Sequence, residues 1–156
     1  SEEVLTDLAP LAEHKDIVLN CSGGALIIGS DTLLYRLVFN LVENAIRYSR
    51  PGSTVNVSIC DNDSHVFLRV EDQGPGIPKQ YRESIFQPFF RLDKSRSRAY
   101  GGAGLGLALV WEIAALHGGT VEVEASSENG GHHAHDPSKT DRSVNQPLKG
   151  KGPVHV

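Results

Sequence analysis

The stretch from Asp31 to Ser49 reads as one long helix with two distinct faces, and that duality constrains the rest of the chain. Leu34, Leu37, Val38, Leu41 and Ala45 recur at helical spacing. Asp31 offers an N-cap, and Pro51-Gly52 stops the helix. Asn40, Asn44 and Arg47, at steps of four and three, fall within a narrow arc beside the apolar stripe, with Tyr48 at its margin. One face must pack on a core while its neighbour presents two amides and a guanidinium. Amide oxygens suit a hard cation such as Mg²⁺, and arginine suits phosphate oxygens. Taken alone, two asparagines on a helix read as ordinary solvated residues.

The remaining elements supply the partner for that helix. Residues 1–14 read as a short helical lead-in. Two strands are expected at Ile17–Cys21 and Ala25–Ile28, around a tight turn at Ser22-Gly23-Gly24. Thr54–Cys60 and Val66–Val70 alternate apolar and polar residues around Asp61-Asn62-Asp63-Ser64, the pattern of a hairpin. A Gly/Pro loop at Gly74–Pro78 precedes a short helix near Lys79–Phe86, and residues 87–103 read as a mobile loop. A second long helix is expected over Gly104–His117, then a strand over Thr120–Ala125. From Ser126 onward apolar residues nearly vanish until Val154–Val156, which gives an expected organisation of lead-in 1–14, domain 15–126 and flexible tail 127–156. Sheet and helices together imply a two-layer α/β sandwich.

Composition excludes several classes. With 39% hydrophobic and 22% charged residues the 156-residue chain has the makings of one globular core. A net charge of −4 argues against a nucleic-acid binder. No apolar run approaches the roughly 18 residues of a membrane span. Met is absent even at position 1, so a fragment or a processed product is expected. Cys21 and Cys60 read as reduced, partly buried thiols rather than a disulfide framework.

Two glycine-rich segments carry the remaining chemistry. In Val70-Glu71-Asp72-Gln73-Gly74-Pro75-Gly76-Ile77-Pro78 an acid ends a strand and two glycines follow. Asp72 can accept a hydrogen bond from an exocyclic amine, and Gly74 and Gly76 let a ligand approach; a plain turn is the competing reading. Further on, Arg91, Lys94, Arg96 and Arg98 outweigh Asp93, and Gly101-Gly102-Ala103-Gly104-Leu105-Gly106-Leu107 runs directly into a helix. A glycine-rich helix start is an anion site through its free N–H groups. No Lys-Ser/Thr closes the run, so it is not a Walker P-loop, and no strand precedes it as in a dinucleotide-binding fold.

In order and spacing these segments resemble the motifs of sensor histidine kinases. Asn40-Leu-Val-Glu-Asn44-Ala-Ile-Arg-Tyr-Ser resembles the N box, Asp72-Gln-Gly-Pro-Gly-Ile77 the G1 box, Phe86-Gln-Pro-Phe-Phe-Arg91 the F box and Gly102-Ala-Gly-Leu-Gly-Leu107 the G2 box. The resemblance covers about residues 1–126. It implies a Bergerat-type sandwich of the GHKL ATPase superfamily, a mixed sheet packed on helices with a mobile ATP lid. It implies ATP and Mg²⁺ as cofactors, with Asn44 holding the metal and Asn40 assisting in its shell or orienting phosphate. By the same resemblance Arg47 touches phosphate, Tyr48 packs near the nucleotide and Asp72 reads the adenine amine beside Gly74, Gly76 and Ile77. Phe86, Phe89 and Phe90 anchor the lid, and Arg91 and Lys94 neutralise γ-phosphate charge. Gly102, Ala103, Gly104 and Gly106 form the hinge and phosphate-facing helix start, while Leu105 and Leu107 pack the base or the core.

The implied reaction is phosphoryl transfer from ATP to a histidine on a dimerisation hairpin, with a response regulator receiver domain as the further partner. The implied setting is a cytoplasmic domain of a homodimeric parent anchored in the bacterial inner membrane, with the fragment itself monomeric. Three features depart from the pattern. His14 lacks the context of a phosphoacceptor and reads as a surface residue. Ala103 stands where relatives carry Thr, Ser or Gln. The tail places His132, His133 and His135 where an apolar strand is expected, and Val154–Val156 is a short replacement for it. A GHKL ATPase with a Glu base is the alternative, against which Asn40 speaks; a nucleotide-sensing module without catalysis is the third reading.

Overall fold

The structure, a computed structural model, describes residues 1–62, 64–92 and 104–124, together with the backbone of 154–155. Its elements are α1 (Glu2–Glu13), β1 (Val18–Gly23), α2 (Asp31–Tyr48), β2 (Thr54–Asp61), β3 (Val66–Glu71), two single 3₁₀ turns (Lys79–Tyr81 and Ser84–Phe86), α3 (Gly106–Leu116) and β4 (Val154–His155). The strands form one mixed sheet in the order β1-β2-β3-β4. β1 runs parallel to β2, which is the crossover that α2 makes possible, and β2 and β3 form the expected antiparallel hairpin.

One sheet face carries the core. Val55 and Val57 of β2 and Leu68 of β3 are buried and meet α1, α2 and α3 in a single cluster with Val4, Leu8, Leu37, Val42, Ile46, Val110 and Ile113. The opposite face is polar: Asn20 donates to Asn56 across β1 and β2 at 3.0 Å, and Arg69 of β3 bonds Glu124 at 2.8 Å. This division is the two-layer α/β arrangement that the alternation predicts.

Several expectations are corrected. Ala25–Ile28 forms no strand and 22–24 no hairpin turn. β1 instead continues to Gly23, because its partner is β2, beyond α2, and not the next segment in sequence. Gly23 (φ 77°) approaches so closely that a Cβ there would overlap the Ile59 carbonyl oxygen. Leu26 and Ile28 are fully exposed. The N-cap of α2 is Ser30, whose hydroxyl accepts from Leu33 N–H at 3.5 Å; Asp31 is the first helical residue, where its charge suits the dipole. The core face of α2 is wider than the predicted stripe and includes Val42 and Ile46, both at 0% exposure. The helix expected near 79–86 is two 3₁₀ turns, and α3 begins at Gly106 rather than Gly104.

Residues 120–124 form no strand, although Val121 is buried; the neighbour of β3 is β4, paired in parallel as Val66↔Val154 and Phe67↔His155. Cys21 and Cys60 are free, as expected, but exposed rather than partly buried. His14 is exposed. The histidines 132, 133 and 135 lie outside the described residues. Among the described residues no helix is long and apolar enough to cross a membrane.

Candidate functional site

The site is built where α2 meets the start of α3. A cleft of about 280 Å³ is lined by Asn40, Glu43, Asn44, Arg47 and Tyr48 from α2, by Ile85, Phe90 and Arg91 from the segment before α3, and by Gly104, Leu105, Gly106 and Leu107 at the start of α3. The α2 residues arrive together because positions 40, 43, 44 and 47 share one helix face. Behind that face Leu37, Ala45 and Ile46 are buried, so the polar arc is fixed by the packing of the apolar one.

Gly106 stands against the side-chain amides of α2. A Cβ on it would lie 2.8 Å from Asn40 Oδ1, too close without a shift, and 3.6 Å from Asn44 Nδ2, an ordinary contact, so the bare backbone is what admits the Asn40 amide. Asn40 is oriented from the other side, since its Nδ2 donates to the Arg36 carbonyl at 2.7 Å. That leaves Oδ1 facing the α3 N-terminus, whose first N–H groups favour negative charge. Arg47 Nη2 donates to Glu43 Oε1 at 2.6 Å, an i,i+4 pair within the cleft wall.

The end of α2 is held by a residue that the motif reading passed over. Lys15, just after α1, donates through Nζ to the carbonyls of Ile46 (2.9 Å), Arg47 (2.5 Å) and Ser49 (2.8 Å). A cation at a helix C-terminus answers the carbonyls that lack helical partners. Burial, and then the charge of Arg47, pull its ammonium below the ordinary lysine range. No sequence signal ties position 15 to positions 46–49; only the fold brings them together.

Asp72, Gly74, Gly76 and Ile77 are not among the residues that line the cleft. Asp72 is exposed, and its Oδ1 accepts the Gly74 N–H at 2.7 Å, which makes the turn that the glycine motif predicts. A Cβ on Gly74 would stand 3.0 Å from the Tyr48 carbonyl oxygen, so this loop abuts the α2 end of the cleft wall. Tyr48 is half exposed beside it.

The two ends of the segment between the F-box-like and G2-box-like motifs meet directly. Phe89 N–H donates to the Gly104 carbonyl at 2.9 Å, with both residues at positive φ (64° and 72°). Phe86 packs on Trp111 of α3 at 5.6 Å between ring centroids, and Phe90 on Tyr81 at 5.9 Å. Of the predicted site residues, Lys94, Gly102 and Ala103 lie outside the described residues. Glu43 and Ile85 are cleft residues that the motifs did not single out; the spacing of Glu43 and Arg47 was a readable signal for the first.

The oxygen donors on this wall are of the kind a hard cation takes. Among the described residues no group of three or more His, Cys, Asp or Glu forms a metal cage. Two amides beside an anion-favouring helix start instead fit Mg²⁺ held jointly with phosphates.

Comparison with known proteins places the fold in a family. The model of the histidine kinase-, DNA gyrase B-, and HSP90-like ATPase family matches residues 29–140. The sensor-like histidine kinase SenX3 of Mycobacterium tuberculosis is 45% identical over 114 residues, which covers 72% of this chain and 28% of that protein. The sensor protein RstB of Escherichia coli is 50% identical over 98 residues, covering 63% of this chain and 22% of RstB. The chain thus spans well under half the length of these relatives. Among solved structures, the mycobacterial sensor histidine kinase MprB superposes with a TM-score of 0.70 at 34% identity, covering 81% of this chain and 83% of that one. Full-length ShkA in complex with AMPPNP superposes with a TM-score of 0.69 at 29% identity, covering 80% of this chain and 26% of ShkA.

Proposed function

The chain belongs to the histidine kinase-, DNA gyrase B-, and HSP90-like ATPase family, as an ATP-binding catalytic domain of the sensor histidine kinase kind, and from that premise we propose that its parent protein transfers the γ-phosphoryl group of Mg-ATP to a histidine on a dimerisation hairpin carried elsewhere in that protein. The observation that carries the reading is the meeting of Asn40 and Asn44 with the bare backbone of Gly106. It sets two side-chain amides, Asn40 by its oxygen, against a helix start suited to phosphate.

In this reading Asn44, with Asn40, holds Mg²⁺, which neutralises phosphate charge when bound. Arg47 and Tyr48 border the nucleotide, and Asp72 with Gly74, Gly76 and Ile77 receives the adenine. Arg91 and Lys94 oppose γ-phosphate charge, Gly102, Ala103, Gly104 and Gly106 supply the hinge and the phosphate-facing helix start, and Leu105 and Leu107 pack the base or the core. Such positioning and charge neutralisation are most of what phosphoryl transfer asks of a protein. The phosphohistidine then serves a response regulator receiver domain, and the parent is a dimer anchored in the inner membrane with this domain in the cytoplasm.

The test mixes the domain with Mg-ATP and a separate phosphoacceptor hairpin from a sensor kinase. Acid-labile, base-stable phosphate on the hairpin is the expected result. Steady hydrolysis without an acceptor, and no labelled hairpin, would overturn the kinase reading in favour of an ATPase.

A further inference from the structure

Glu43 is the polar residue, among the described residues lining the cleft, to which the function above gives no role. Its carboxylate lies on the same wall as Asn40, Asn44 and Arg47 and, among the described residues lining the cleft, is the one acid. Oε1 accepts from Arg47 Nη2 at 2.6 Å, with side-chain exposures of 28% for Glu43 and 19% for Arg47. The negative charge is therefore fixed in place and half enclosed, where charges interact more strongly than in bulk water. Phosphates that draw close to Arg47 necessarily draw close to Glu43 as well. A divalent cation on those phosphates offsets the repulsion and gains a further hard oxygen neighbour. Nucleotide without a cation meets the carboxylate unshielded.

From this juxtaposition we propose that Glu43 is a specificity-determining residue, one that makes the site discriminate against nucleotide carrying no divalent cation. The inference rests on the nucleotide-binding reading above. Glu43 acts by its charge, so the isosteric Glu43→Gln removes the effect while keeping a hydrogen-bond acceptor for Arg47.

The experiment measures ATP affinity by calorimetry for the unaltered chain and for Glu43→Gln, once with excess Mg²⁺ and once with EDTA. For the unaltered chain, binding in EDTA is expected to be much the weaker. In Glu43→Gln the ratio of the two dissociation constants is expected to shrink about five-fold, chiefly through tighter metal-free binding, the size of one partly screened charge interaction. Raising the salt concentration narrows the difference between the two proteins. If Glu43 serves only to hold Arg47 in place, both affinities fall together and the ratio stays put, which overturns the proposal while leaving nucleotide binding intact. Absence of ATP binding by the unaltered chain under both conditions removes the nucleotide reading itself. Circular dichroism on both proteins separates loss of fold from either outcome.

Discussion

Asn40 Oδ1 lies 2.8 Å from the point that a methyl group on Gly106 would occupy. Asn40 cannot simply step aside, because its Nδ2 is tied to the Arg36 carbonyl. Gly106→Ala should therefore push the amide away from the α3 N-terminus. Alanine at a helix start also improves helix propensity, by up to about 1 kcal/mol. The expected signature is ATP affinity reduced about ten-fold with a melting temperature unchanged or raised, read by calorimetry and thermal denaturation. Undiminished affinity would show that the Asn40–Gly106 contact does not shape the nucleotide site.

Asp72 is exposed and needs only one carboxylate oxygen for its turn with Gly74. Asparagine keeps that acceptor but loses the charge. Asp72→Asn should narrow the preference for ATP over GTP by about ten-fold, the scale of one charge-assisted hydrogen bond of ~1.5–3 kcal/mol. Competition binding with the two nucleotides measures it, and an unaltered ratio would remove Asp72 as the adenine reader.

Lys15 gathers three carbonyls at the end of α2. Lys15→Met keeps the aliphatic stem and leaves those oxygens to water. Because the site is partly exposed, the expected loss is about 1–2 kcal/mol, toward the low end for charged hydrogen bonds. A fall of several degrees in melting temperature follows. ATP affinity should fall with it, since Arg47 and Tyr48 sit on the freed turn; a drop in stability with no change in affinity would separate the cap from the site.

Tyr35 of α2 donates its hydroxyl to Asp7 of α1 at 2.5 Å. That hydrogen bond, then burial, then the charges of Asp7 and Glu3, hold its phenol above the ordinary value. A raised folded-state value means that the folded chain keeps a proton which the unfolded chain has already lost. The contribution is complete below pH 10 and fades as pH rises through the folded-state value. Stability should decline less steeply above pH 10 in Tyr35→Phe than in the unaltered chain, measured by urea denaturation at a series of pH values. Parallel decline in both would sink the assignment.

The parts of this fold legible in sequence are those set by local period or by motif. α2 announces itself through two interleaved helical arcs, and the β2–β3 hairpin through alternation around Asp61–Ser64. The convergence of Asn40, Asn44 and Arg47 with Gly104 and Gly106 at the start of α3 follows from motif order and is seen directly in the cleft. Pairings between distant segments were not legible. Ala25–Ile28 looks like a strand by composition, yet β1 spends its hydrogen bonds on β2, and Leu26 and Ile28 are left in solvent. The same blindness hid the pairing of β3 with β4 and the reach of Lys15 to α2, because neither leaves a periodic trace. Glu43 is inconspicuous for a different reason: it stands between two motif asparagines, and its i,i+4 partner Arg47 belongs to the same motif.

The hydrogen bond from Phe89 to Gly104 also bears on how a chain of this kind tolerates insertion and deletion. With the two ends fastened 2.9 Å apart, the entropy of joining them grows only with the logarithm of the length between. Each doubling of that length costs about 0.6 kcal/mol. A change of length between positions 92 and 104 is thus cheap in chain entropy, while Phe90 and Arg91, which line the cleft beside the fastened end, do not share that freedom.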